Sequence, residues 1–206
     1  MISAGEFDDI LTALRNHPEP LNGPPVDDHI AWSETAGPPE SAEDFALEAI
    51  YVICNSGMKH TIARRIYEII KRAVLRGQPV LTEQRELMGL KKIFGHDGKA
   101  AAMDRIWRER QRLYEQFMTA YHSGPDIAVM FCAGLPWIGK VTKYHLAKNF
   151  GVDCAKPDVH LNRLAYHHST TPQALCDELA AATGYRSRTI DLILWDGVRE
   201  GRNQQR

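Results

Sequence analysis

Apolar residues return every three or four positions through most of the 206-residue chain, the rhythm of amphipathic helices. Ile10, Leu11 and Leu14 mark a short helix within residues 1–16, and a Pro- and Gly-rich loop follows from Pro18 to Pro39. Ser41-Ala42-Glu43-Asp44 has the form of a capping box and opens a helix whose apolar residues are Phe45, Ile50, Tyr51, Ile53 and Cys54. Asn55-Ser56-Gly57-Met58-Lys59-His60 interrupts this pattern before a second helix over residues 61–76.

Further helices are predicted over residues 82–92 and 99–121, with Phe94-Gly95-His96-Asp97-Gly98 as the turn between them. The apolar run from Asp126 to Ala133 is the next helix, and Leu135-Pro136 closes it. Residues 142–149 form another. Thr171-Pro172 starts a helix that reaches Thr183, Gly184 follows as a C′ residue, and Ser187 to Trp195 starts the last helix. Residues 201–206 are polar and predicted to fray. The resulting fold class is all-α.

Two segments carry chemistry. In Leu135-Pro136-Trp137-Ile138-Gly139-Lys140-Val141-Thr142, Gly139 permits a tight turn at the mouth of a helix, where backbone N–H groups can grip phosphate whatever the base sequence. In Lys156-Pro157-Asp158-Val159-His160, Pro157 cannot continue a preceding helix and Asp158 suits the N-cap of the next one, ionised in the favourable field of the helix dipole.

Together these residues resemble the helix-hairpin-helix (HhH-GPD) DNA glycosylase superfamily, whose hairpin reads roughly L-P-G-x-G-x-x-T-A and whose acid lies just under twenty residues later. Asp158 is 19 residues past Gly139. The resemblance runs from about Phe45 to about Trp195. It implies a two-lobed helical fold with its core at residues 41–200, the hairpin at 127–150 and the acid's helix at 157–167. An acidic helix and loop over residues 1–40 and the tail 201–206 lie outside that core. It also implies that Asp158 is catalytic and that Trp137, Ile138, Gly139, Lys140, Thr142 and Lys143 bind DNA. The break between the two early helices lines the base pocket or fills the gap left by a flipped base in that superfamily, which makes Asn55 and Met58 candidates. Trp32 and His29, an aromatic and a histidine in an otherwise polar loop, are further pocket candidates.

Two departures from the pattern matter. Trp137 stands where the hairpin's first glycine is usual, which leaves Gly139 as the hairpin residue able to take positive φ at low cost. Val141 stands where bifunctional members carry a Schiff-base lysine, which implies a monofunctional enzyme that leaves an abasic site. Lys140 and Lys143 flank that position, and a lyase using either is the alternative. No cofactor is implied. The partner is double-stranded DNA containing a damaged or modified base, bound by a monomer.

Charge is segregated in a way the total of −1 hides. Residues 1–48 hold 11 acidic residues and 1 basic one, residues 49–134 hold 8 and 14, and residues 135–206 hold 7 and 10. The DNA face is expected from the last two blocks. Arg105, Arg108, Arg110 and Arg112 fall on one helix and also suit a solvated surface.

No apolar run is long enough to span a bilayer and no secretory signal is present, so a cytoplasmic protein is expected. Cys54, Cys132, Cys154 and Cys176 lack metal-ligand spacing, and no metal site is expected from them or from His145, His160, His167 and His168. Lys99 is expected to be structural or to touch a phosphate. Oxidised purines, alkylated purines and a hypermodified cytosine of phage DNA are the candidate bases, the last of which would make the protein a defence enzyme. A non-catalytic DNA-binding module that kept the hairpin is the competing class.

Overall fold

The computed structural model describes residues 2–16, 25–80 and 96–203, and among them it has helices and no strand. In chain order these are α1 (Ala4–Arg15), α2 (Val26–Thr35), α3 (Ala42–Asn55), α4 (His60–Leu75), α5 (Asp97–Arg108) and α6 (Arg110–Ser123). They continue as α7 (Pro125–Ala133), α8 (Thr142–Asn149), α9 (Val159–His167), α10 (Pro172–Thr183) and α11 (Ser187–Asn203). Among the described residues, no helix is long and apolar enough to cross a membrane. The helix expected over residues 82–92 lies outside the described residues, as do Phe94 and Gly95.

The chain forms two compact units. In the first, residues 38–146, α3 is central and packs on α4, α5 and α6. Its residues Phe45, Ala46, Ala49, Ile50 and Ile53 are fully buried, and Phe45 meets Phe117 and Phe131 at ring-centroid distances of 5.6 and 6.4 Å. Ser41 caps α3 by accepting from the Asp44 N–H at 3.1 Å while its hydroxyl donates to the Asp44 carboxylate.

In the second unit, residues 1–37 and 147–206, α11 packs on α1, α2 and α10 around Phe7, Leu11, Ile30, Leu175, Ile190 and Ile193. Thr171 caps α10 through the Ala174 N–H, and Gly184 ends it in the left-handed region at φ 81°.

Three features differ from the sequence expectations. The loop expected from Pro18 to Pro39 contains α2. The prolines and glycines that suggest a loop flank this helix, whereas Val26 to Thr35 has neither. Asp27 and Asp28 favour its first turn, and Ile30 and Ser33 bury one face. The single helix expected over residues 99–121 is broken at Glu109. There the Arg110 guanidinium lies over the Trp107 ring and donates at 2.8 Å to the Trp107 carbonyl, replacing a partner that an unbroken helix would supply. Finally, residues 201–203, expected to fray, continue α11, while residues 204–206 lie outside the described residues.

Candidate active site

Asp158 begins α9 with extended backbone, and its Oδ1 accepts from the N–H groups of His160 at 2.9 Å and Leu161 at 3.1 Å. One carboxylate oxygen is thus committed to capping. The other, Oδ2, lies 3.7 Å from Lys156 Nζ, and the Asp158 side chain retains 13% exposure. An N-cap carboxylate that faces one cation and keeps contact with solvent is a fixed negative charge that can be offered to a developing positive one.

Side chains from three helices hold the strap leading to Asp158. The Ala155 N–H donates to Gln173 Oε1 of α10 at 2.8 Å, and the Lys156 N–H donates to Asp191 Oδ2 of α11 at 2.9 Å. The Pro157 carbonyl accepts from Asn162 Nδ2 of α9 at 2.7 Å. Asp191 is buried and its carboxylate also receives the Lys148 ammonium from α8. Gln173 and Asp191 carry no local motif, so the sequence gives no sign that they meet the strap.

The hairpin follows α7. Its positive φ belongs to Trp137, at 65°, and not to Gly139, which corrects the expectation that Gly139 would take the strained conformation. The Gly139 N–H instead donates to Thr142 Oγ1 at 2.7 Å, so Thr142 braces the turn. The N–H groups of Lys140, Val141 and Thr142 find no acceptor among the described residues. Such a run of donors at a helix start suits an anion. Ile138 is buried and anchors the hairpin, whereas Trp137, Lys140 and Val141 are exposed. Trp137 makes an edge contact with His96, the N-cap of α5, at 4.6 Å between ring centroids. Lys143 Nζ lies 4.9 Å from the centre of the Tyr144 ring.

The pocket candidates divide between the two units. Asn55 ends α3, is half-buried, and donates from Nδ2 to the Tyr51 carbonyl at 3.2 Å. Met58 follows in the turn closed by its own N–H bonding to the Asn55 carbonyl. This turn is held by Lys99, a buried residue whose ammonium donates to the Ser56 carbonyl. Burial shifts the Lys99 amine downward from its ordinary pKa, the Cys54 thiol opposing it. His29 and Trp32 lie on α2. His29 Nδ1 is 3.5 Å from Asp196 Oδ2, and Trp32 is 47% exposed, so Ile30 and Ser33 are the residues that anchor this segment.

A cavity of about 310 Å³ in the 38–146 unit is lined by Glu109, Arg112, Leu113, Phe131 and Pro136 among others, and contains none of the candidates above. Among the described residues, no group of three His, Cys, Asp or Glu side chains is placed to hold a metal ion.

No family model matches the chain, and no curated protein sequence matches it. Among solved structures, it is similar to the crystal structure of the 8-oxoguanine DNA glycosylase of Thermotoga maritima, with a TM-score of 0.65 and 19% identity over 94% of this chain and 96% of that one. The chain therefore has the all-α fold of a DNA glycosylase.

Proposed function

We propose that this protein is a monofunctional DNA glycosylase, which rotates a damaged or modified base out of duplex DNA and hydrolyses its N-glycosidic bond. The observation that carries the reading is the Asp158 carboxylate, with one oxygen tied to a helix N-terminus and the other facing Lys156 in a side chain that keeps partial contact with solvent. As the bond to the base breaks, positive charge grows on the sugar, and a fixed carboxylate stabilises it and orients the attacking water. The hairpin donors of residues 140–142 would hold a backbone phosphate, which positions the duplex without reading its sequence.

Hydrolysis, as opposed to lyase chemistry, is supported by Val141 at the exposed position where a Schiff-base lysine would stand. Lys143 has its ammonium over Tyr144. Lys140 has a backbone N–H suited to phosphate. The partner is double-stranded DNA, with Asn55 and Met58 assigned to the base pocket or the vacated gap.

The structural neighbour acts on 8-oxoguanine, so an oxidised purine is the first substrate to test. Duplexes carrying oxidised, alkylated, deaminated or glucosylated bases are incubated with the protein and released bases measured by mass spectrometry. The expected result is release of one class, with strand breaks only after alkali. No release from any duplex that the protein binds would remove the enzymatic reading in favour of a DNA-binding module.

A further inference from the structure

We infer that Asp191 and Gln173 are positioning residues for Asp158, an inference that rests on the catalytic reading of Asp158 above. The strap over residues 155–158 has no helical hydrogen bonds of its own to fix it. Its two successive N–H groups, from Ala155 and Lys156, end on Gln173 Oε1 and Asp191 Oδ2. Pro157 follows with its φ restricted by the ring, and Asp158 is then locked by the α9 cap. Little slack remains between the Lys156 anchor and the carboxylate.

Asp191 is an expensive way to hold one N–H. It is 2% exposed, and a buried carboxylate is tolerated only when paired and hydrogen-bonded. Lys148 supplies the compensating charge. Asp191 is linked to Asp158 through the Lys156 N–H, so its effect on chemistry passes through the strap. Gln173 is itself oriented, because its Nε2 donates to Asp177 Oδ1 at 2.8 Å and so turns Oε1 toward Ala155. A displacement of the acid by about 1 Å is enough to lower a rate by roughly 100-fold.

The test is single-turnover base release by Asp191→Ala, Asp191→Asn and Gln173→Ala, alongside duplex affinity. Both alanine variants are expected to lose rate by about 10- to 100-fold with affinity little changed. Asp191→Asn, whose amide oxygen can still accept from the Lys156 N–H, is expected to recover most of the rate. Gln173→Ala removes no buried charge, so it carries the test if Asp191→Ala does not fold. Full rate in Gln173→Ala, or a loss of affinity equal to the loss of rate, overturns the inference. If the unaltered protein releases no base from any duplex, the glycosylase reading fails by itself. The positioning role is then decided by hydrogen exchange at the His160 and Leu161 amides, which Asp158 holds: faster exchange in Gln173→Ala upholds it and unchanged exchange overturns it.

Discussion

The indole of Trp137 rests on Gly98 so closely that a methyl group at that glycine would sit 2.7 Å from Trp137 Cζ3. The contact ties the hairpin to the first turn of α5. It also accounts for a tryptophan at φ 65°, a conformation that costs roughly 1–2 kcal/mol for a side-chain-bearing residue and persists only where surroundings enforce it.

Gly98→Ala should therefore expel the ring, not unfold the protein. Trp137 is 43% exposed, which leaves solvent-side room for its ring to move, and alanine is the better helix former by roughly 0.5–1 kcal/mol. We expect a melting temperature within a few degrees of the parent, a shifted Trp137 indole N–H resonance and weaker duplex binding. An unshifted resonance would contradict the packing.

Asp158→Asn separates capping from chemistry. Asparagine caps as well as aspartate, so thermal stability should change little, while loss of the negative charge removes about 3–4 kcal/mol of transition-state stabilisation. Base release should fall by at least 100-fold with duplex affinity preserved. Retained turnover in a quench experiment would defeat the assignment.

All four thiols are buried. Burial pushes Cys54 and Cys154 from an ordinary value of 9.0 up to about 12, and Cys176 moves in the same direction. Because these folded-state values are raised, the stability gained from keeping the thiols neutral is fully present below pH 9.0 and is lost as pH rises from there toward about 12. At pH 8 a thiol reagent should leave the native protein unlabelled and modify four cysteines after denaturation. Rapid native labelling would show that the cores open more readily than their packing implies.

What the sequence makes legible is local. Ser41, Thr171 and Asp158 cap their helices through hydroxyl and carboxylate groups two or three residues from the N–H groups they serve, and Gly184 is the residue type that a left-handed helix end favours. The hairpin turn and the Asp158 cap are recognisable because residue type and spacing lie within one short window. Elsewhere tertiary contacts decide. Trp137 takes positive φ because His96 and Gly98 receive its ring, 39 or more residues away in sequence. The Gln173 and Asp191 contacts to the strap span 18 and 35 residues, beyond any periodicity or motif. The flanking prolines obscure α2 in the sequence, and its burial comes from contacts with α11 and α1.

Arg188 is fully enclosed and donates to the Ala36 carbonyl at 2.7 Å, while a side chain on Gly151 would collide with that same carbonyl. The segment after α2 is therefore gripped by residues that are synthesised more than a hundred positions later. Residues 38–146 form a compact unit that is continuous in sequence and can condense as they leave the ribosome. By contrast, α1 and α2 take most of their packing from α11 and complete their burial only once it has emerged, so this acidic segment is the part of its unit that depends most on translation finishing promptly.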